Sequence, residues 1–138
     1  MRLEFEIASG DFSQAGRASS RIKKVLKQLH IDPKIIKRIV IAVYEAEVNV
    51  VAHSVGGTIV AEISGNDIEV IIQDNGPGIE DISLAMKEGY STASKKVRDM
   101  GFGAGMGLPN INKNTDELDI KSTPGVGTTL KFKNNFNG

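Results

Sequence analysis

Glu45 and Asn49 stand four residues apart in the run Glu45-Ala-Glu-Val-Asn49, and on a helix that spacing places a carboxylate and a neutral amide on one face. Such a pair can orient a hydroxyl nucleophile and offer an oxygen to a divalent cation. Further along, Asp74-Asn-Gly-Pro-Gly78 sets an acceptor beside two residues without side chains, a combination able to read the edge of an adenine at close range. Gly101-Phe-Gly-Ala-Gly-Met-Gly-Leu108 and Gly125-Val-Gly-Thr128 follow in that order. Glycines of this kind let backbone N–H groups close on phosphate oxygens and accept positive φ. Eight of the fifteen glycines lie in the last three segments, and the clustering points to a nucleotide-binding domain.

The elements that must hold these residues are readable from periodicity. Leu3, Phe5 and Ile7 alternate with Arg2, Glu4 and Glu6, which predicts a strand with one buried face. Ala15, Ala18, Ile22, Val25, Leu26 and Leu29 recur at helical steps among five basic residues, Arg17, Arg21, Lys23, Lys24 and Lys27, and predict an amphipathic helix. Asp32-Pro33 is a start signal for a second helix, predicted from about Pro33 to about Ala52. Strands are predicted at Thr58 to Ile63 and Ile68 to Asp74, joined by the turn residues Ser64-Gly-Asn-Asp67. The polar stretch from Glu80 to Met100 reads as a helix and a mobile loop. A short helix near Pro109 to Thr115 and strands near Leu118 to Ser122 and Thr128 to Lys133 complete the chain.

Three helices and five strands are too few for a sheet covered on both faces. The expectation is an α+β fold: a two-layer α/β sandwich with a mixed, mostly antiparallel sheet on one side and helices on the other, forming one domain over residues 1–138. In that frame the apolar stripe Ile35, Ile39, Val43, Ala46 and Val50 puts Glu45 and Asn49 along its edge, facing a pocket rim. Period-two alternation places Asp74 on the same face as Ile68, Val70 and Ile72, and Thr128 on the same face as Leu130 and Phe132. An inward carboxylate and an inward hydroxyl are costly unless partnered, and a ligand with donor and acceptor edges would supply partners.

Composition narrows the classes. The 17 basic and 17 acidic residues give a formal net charge of zero, so there is no whole-molecule attraction to nucleic acid or to an anionic membrane, although a local basic patch is compatible with it. Cysteine is absent, which excludes disulfides and thiolate metal sites. No apolar run reaches the roughly 20 residues of a spanning helix, and the N-terminus alternates instead of forming a signal-peptide core, so a cytoplasmic location is expected.

Taken in order, the four segments resemble the N box and the three glycine boxes of the gyrase, chaperone, histidine-kinase and mismatch-repair ATPase superfamily, over about Ile35 to Phe132. The string GFGAGMGLPN and the short length are similar to the small bacterial anti-sigma-factor serine/threonine kinases, including switch-kinase relatives that phosphorylate STAS domains. The resemblance implies the Bergerat ATP-binding fold, with ATP or ADP and Mg²⁺ as ligands. It implies Asn49 as the Mg²⁺ ligand, Glu45 as general base and Asp74 as acceptor for the adenine amino group, with Thr128 assisting through water. It also implies close approach of the base at Gly76 and Gly78, and a phosphate lid from Gly101 through Gly103, Gly105, Met106 and Gly107 to Leu108. The partners implied are a STAS-domain antagonist and a sigma factor or other regulator, with a homodimer among the possibilities.

Physical arguments stand beside the resemblance. Mg²⁺ takes oxygen ligands and keeps water, so one amide oxygen plus phosphate oxygens is a reasonable shell. Glycines leading into the helix near Pro109 aim N–H groups and the positive dipole end at phosphate. Lys95, Lys96 and Arg98 are candidates to reach the γ-phosphate, against the ordinary reading of solvated loop charges. His53 reads as structural near the site, and His30 as a helix-end or surface residue. Glu47 departs from the pattern; its helical angle points away from Glu45, which predicts a place outside the pocket at a partner surface. Val48 and Val51 widen the apolar stripe and predict a dimer or partner face. Two other functions fit the same residues: an anti-sigma module that binds nucleotide without phosphotransfer, and a free-standing histidine-kinase-type catalytic domain.

Overall fold

In the computed structural model, which describes residues 1–8, 15–53, 56–74, 107–123 and 127–137, the alternating N-terminus forms strand β1 (Arg2–Ile7) with Leu3, Phe5 and Ile7 half-buried. Helix α1 (Arg17–Gln28) follows and buries Ala18, Ile22, Val25 and Leu26. Its stripe is shorter than expected at both ends, because Ala15 precedes the helix and Leu29, the C-cap, is 44% exposed. The helix closes in a Schellman motif: His30 N–H donates to Lys27 O at 3.1 Å and Ile31 N–H to Leu26 O at 3.2 Å. His30, exposed at the helix end as expected, takes the left-handed conformation at φ 59° that glycine usually fills there.

Helix α2 (Pro33–His53) starts where Asp32-Pro33 predicts. The Asp32 carboxylate accepts the Lys34 N–H at 2.8 Å, capping a group the first turn cannot satisfy itself. Strands β2 (Gly57–Ile63) and β3 (Asp67–Asp74) form a hairpin. At its turn the Ser64 hydroxyl accepts from the Asn66 and Asp67 N–H groups at 3.2 and 3.1 Å. Helix α3 (Gly107–Lys113) begins two residues earlier than expected, with Pro109 in its first turn, where a missing N–H costs nothing. Strands β4 (Glu117–Thr123) and β5 (Gly127–Asn135) end the fold, and β5 runs two residues past the prediction, as far as Asn135.

The sheet order is β1-β2-β3-β5-β4 and all four neighbouring pairs are antiparallel, so the expected mixed component is absent among the described strands. Helix α2 packs against both α1 and α3. Together with the buried inward sheet residues, these helices enclose one apolar core, in which Ile22, Leu26, Ile39, Ile59, Ile68, Ile111 and Phe132 are fully buried. This is the two-layer α+β arrangement. None of the described helices is long and apolar enough to cross a membrane.

Register sorts the inward residues into rows across the sheet. Leu3, Ala61, Val70, Phe132 and Leu118 are successive cross-strand partners, as are Phe5, Ile59, Ile72, Leu130 and Ile120. Both rows are wholly apolar and supply the core. The next row is Ile7, Gly57, Asp74, Thr128 and Ser122, and its last three members, on β3, β5 and β4, are polar. One end of the sheet therefore carries a line of polar groups on its helix-facing side, continuous with the core.

One polar tie joins the far side of the layers. The Asp116 carboxylate accepts the Asn135 N–H at 2.7 Å and pairs with Arg38 of α2 at 3.0 Å. The Asn135 N–H, with Arg38 beside it, holds the Asp116 carboxyl below its ordinary range.

Candidate functional site

Asp74 ends β3 in the polar row and is half-buried. One of its carboxylate oxygens accepts the Thr128 N–H at 3.2 Å, which fixes the acid against β5. Thr128 is 8% exposed, and its hydroxyl lies 3.0 Å from that of Ser122 on β4. On the other side of Asp74 stands Gly57. A Cβ there would sit 2.2 Å from the Gln73 carbonyl oxygen and 3.1 Å from Asp74 Cα, so only glycine lets β2 close on this end of β3. The inward direction expected for Asp74 and Thr128 is what the structure has, and it joins the two residues directly.

Glu45 and Asn49 are both half-buried on α2, beside the fully buried Val43, Ala46 and Val50. The edge-of-stripe position is thus as expected. Glu45 Oε1 accepts a hydrogen bond from the Asn110 side-chain amide at 3.3 Å, which ties α2 to α3 just beyond the glycine segment that ends at Leu108. The C-terminal half of α2 lies over the polar end of the sheet: Glu47 and Val51 border the same small cavity as Phe5 and Ile7, and Ile7 is the direct neighbour of Gly57. The α2 residues Glu47 and Val51 thus approach the Ile7 end of the row that holds Asp74, Thr128 and Ser122, while Glu45 is tied to α3.

This arrangement joins an anionic acceptor, a hydroxyl pair and a second carboxylate held by an amide. Asn49 offers one neutral oxygen, suited to a hard cation that brings further oxygens and water with it. Asp74 offers an anionic acceptor matched to a donor edge on a ligand. Gly107 and Leu108 open α3. Gly76, Gly78, Gly101, Gly103, Gly105 and Met106 lie outside the described residues, as do Lys95, Lys96, Arg98 and the whole stretch predicted as helix and loop from 80 to 100.

Two expectations on α2 are corrected. Glu47 does lie away from Glu45, but it faces no partner surface: it is 2% exposed, and its carboxylate accepts from the N–H groups of Ala18 at 3.0 Å and Ser19 at 3.4 Å. Helix α1 has Gly16 at its N-cap, in the left-handed region at φ 97°, with no side chain to cap the first turn. Glu47 provides that cap from a different helix. Burial pushes its carboxyl above the ordinary range, and the backbone N–H groups that face it offset only part of that. Val48 and Val51 are 5% and 3% exposed, buried within the chain, and present no apolar face to a second copy or a partner. The stripe is wide because α2 serves two helical neighbours as well as the sheet.

Sequence reasoning passed over Gly57, Asn110 and Ser122. Gly57 had a signal in the Gly56-Gly57 pair. Asn110 and Ser122 had none, since each is placed by a long-range contact.

Residues 34–137 match the family model described as histidine kinase-, DNA gyrase B-, and HSP90-like ATPase. The chain is 40% identical over 109 residues to an anti-sigma F factor of a Thermoanaerobacter species, covering 74% of this chain and 73% of that protein. It is 31% identical over 113 residues to the serine/threonine-protein kinase RsbT of Bacillus subtilis, with 79% of each covered. Among solved structures, a chain of the SiaB-SiaC complex from Pseudomonas aeruginosa superposes with a TM-score of 0.68 at 15% identity, covering 95% of this chain and 88% of that one, a likeness of fold.

Proposed function

The chain belongs to the histidine kinase-, DNA gyrase B-, and HSP90-like ATPase family, and on that footing we propose that it binds ATP with Mg²⁺ and phosphorylates a serine or threonine of a partner STAS domain in a partner-switching pathway. The observation that supports the reading is the inward Asp74 carboxylate held by the Thr128 N–H at the polar end of the sheet, the end that Glu47 and Val51 of α2 approach beside Ile7. The relative named as a serine/threonine kinase supports phosphotransfer, and those named as anti-sigma factors support a regulatory partner.

In this reading Asp74 accepts from the exocyclic amine of adenine, and the Thr128 N–H keeps the carboxylate oriented to do so. Asn49 holds Mg²⁺ through its side-chain oxygen, and the bound ion supplies charge neutralisation at the phosphates. Glu45 orients the attacking hydroxyl and takes its proton, an effect worth about 10²–10⁴-fold in rate. Asn110, through its amide, keeps the Glu45 carboxylate from turning away. Positioning and charge, not covalent chemistry, are what the protein contributes to such a transfer.

The test is incubation with radiolabelled ATP, Mg²⁺ and STAS-domain proteins encoded near it. Label should pass to a serine or threonine with wild type; with Glu45→Ala it should not, while ATP binding persists. Undiminished transfer by Glu45→Ala would remove that residue from the mechanism. The second reading, an anti-sigma module that binds nucleotide without phosphotransfer, is favoured by the greater identity to proteins named only as anti-sigma F factors. ATP binding with no labelled partner would support it.

A further inference from the structure

The inward residues of β5 are Thr128, Leu130, Phe132 and Asn134, all buried. Asn134 is fully enclosed, opposite the equally buried Ile68 of β3. An amide in such a place is costly unless partnered, and here only its donor side is satisfied. Its Nδ2 donates to the Asn114 carbonyl oxygen at 2.8 Å, while its Oδ1 has no partner among the described residues. We infer that Asn134 is a positioning residue, which clamps the end of α3 to β5 and through α3 sets the Glu45 carboxylate from the opposite layer. The inference rests on the phosphotransfer reading above and adds to it Asn134 and Asn114, both acting through Asn110.

The links form one continuous run. Asn114 follows the last residue of α3, where carbonyl groups lack partners within the helix, and Asn134 supplies a donor from β5. The backbone N–H and the side-chain amide of Asn114 both donate to the Asn110 carbonyl oxygen, at 3.2 and 2.8 Å. The Asn110 side-chain amide then donates to Glu45 Oε1 at 3.3 Å. Since α3 has only seven residues, its clamped end lies one turn from Asn110, and a shift at one is felt at the other. Burial of Ile111 holds α3 to the core, but apolar contact is non-directional; the angular setting of Asn110 comes from its hydrogen bonds.

A capping role alone would make Asn134 matter for the stability of α3 and for nothing else, and a variant that folds well separates the two. Asn134→Val places a strand-favouring apolar side chain in a core row, so the melting temperature should stay within a few degrees of wild type. Its phosphotransfer rate to the STAS-domain partner should nevertheless fall about 3- to 10-fold, with the ATP dissociation constant within about twofold. Asn110→Ala cuts the run nearer Glu45, so adding Asn134→Val to it should cost no further rate.

Hydrogen exchange followed by NMR supplies a readout independent of catalysis. The Asn114 N–H should exchange at least about tenfold faster in Asn134→Val than in wild type, while the amides of β3 keep their rates. If Asn134→Val does not fold, Asn114→Ala, which cuts the same run at a half-buried position, should lower the rate with the same non-additivity. Losses that multiply in the double variant, or unchanged Asn114 exchange in folded Asn134→Val, overturn the inference. Wild type that binds ATP and labels no partner overturns the phosphotransfer reading instead, and the exchange rates then still decide whether Asn134 clamps α3.

Discussion

Replacing Glu47 by alanine isolates the energetics of a helix capped from outside. The substitution removes the acceptor of the Ala18 and Ser19 N–H groups and leaves both donors in a buried helix start. Loss of a cap costs about 0.5–2 kcal/mol, and hydrogen bonds to a charged group run to about 1.5–3 kcal/mol each. Relief from burying a carboxylate offsets part of this, so a net loss of about 2 kcal/mol is expected. For a domain of this size that lowers the melting temperature by roughly 6–10 °C. The pH dependence carries a definite sign. Burial raises the Glu47 carboxyl in the folded chain, so between its ordinary value of 4.5 and the raised one the folded state binds the proton more tightly than the unfolded state. Stability from Glu47 is then fully present below 4.5 and declines as pH rises through the folded value. Urea titrations of wild type and Glu47→Ala at pH 4 and pH 7, followed by far-UV circular dichroism, should show the larger difference at pH 4. A difference that grows towards pH 7 would refute the raised carboxyl, and one under about 0.5 kcal/mol at both pH values would refute the capping account.

Asp74→Asn should weaken ATP binding by at least about 100-fold in calorimetry while leaving the melting temperature within a few degrees, because an amide can turn a donor toward the adenine amine and leaves it unpaired. Asn110→Ala should leave the ATP dissociation constant within about threefold and lower turnover about tenfold, since it frees the Glu45 carboxylate to rotate; equal loss in both would mean a structural role for Asn110. His30→Gly should raise the melting temperature, by up to about 1 kcal/mol of stability, as glycine relieves the left-handed strain in the Schellman motif.

The inward direction of Asp74 and Thr128 and the edge position of Glu45 and Asn49 were legible because each follows from a local period, two along a strand or 3.6 along a helix. What lies across the gap from a side chain does not follow from its own period. The angle of Glu47 was read correctly as pointing away from Glu45, yet the neighbour on that side is α1, brought there by tertiary packing. Burial of Val48 and Val51 has the same origin. Ser122 could not be singled out without knowing that β4 pairs with β5 in the register that sets it opposite Thr128. The wholly antiparallel sheet, with β5 inserted between β3 and β4, is likewise a product of long-range pairing.

Strand β3 has a ladder on each flank, to β2 and to β5, and Asp74 stands opposite a residue on both. Displacing that carboxylate would mean opening two sets of backbone bonds at once, so the sheet acts as a stiff floor whose geometry is inseparable from global stability. Glu45 and Asn49 hang from a ceiling of helices joined to it through side-chain packing. Any signal that tunes the activity without unfolding the protein must therefore move the ceiling, whereas a change of preferred base must be written, one side chain at a time, into the floor.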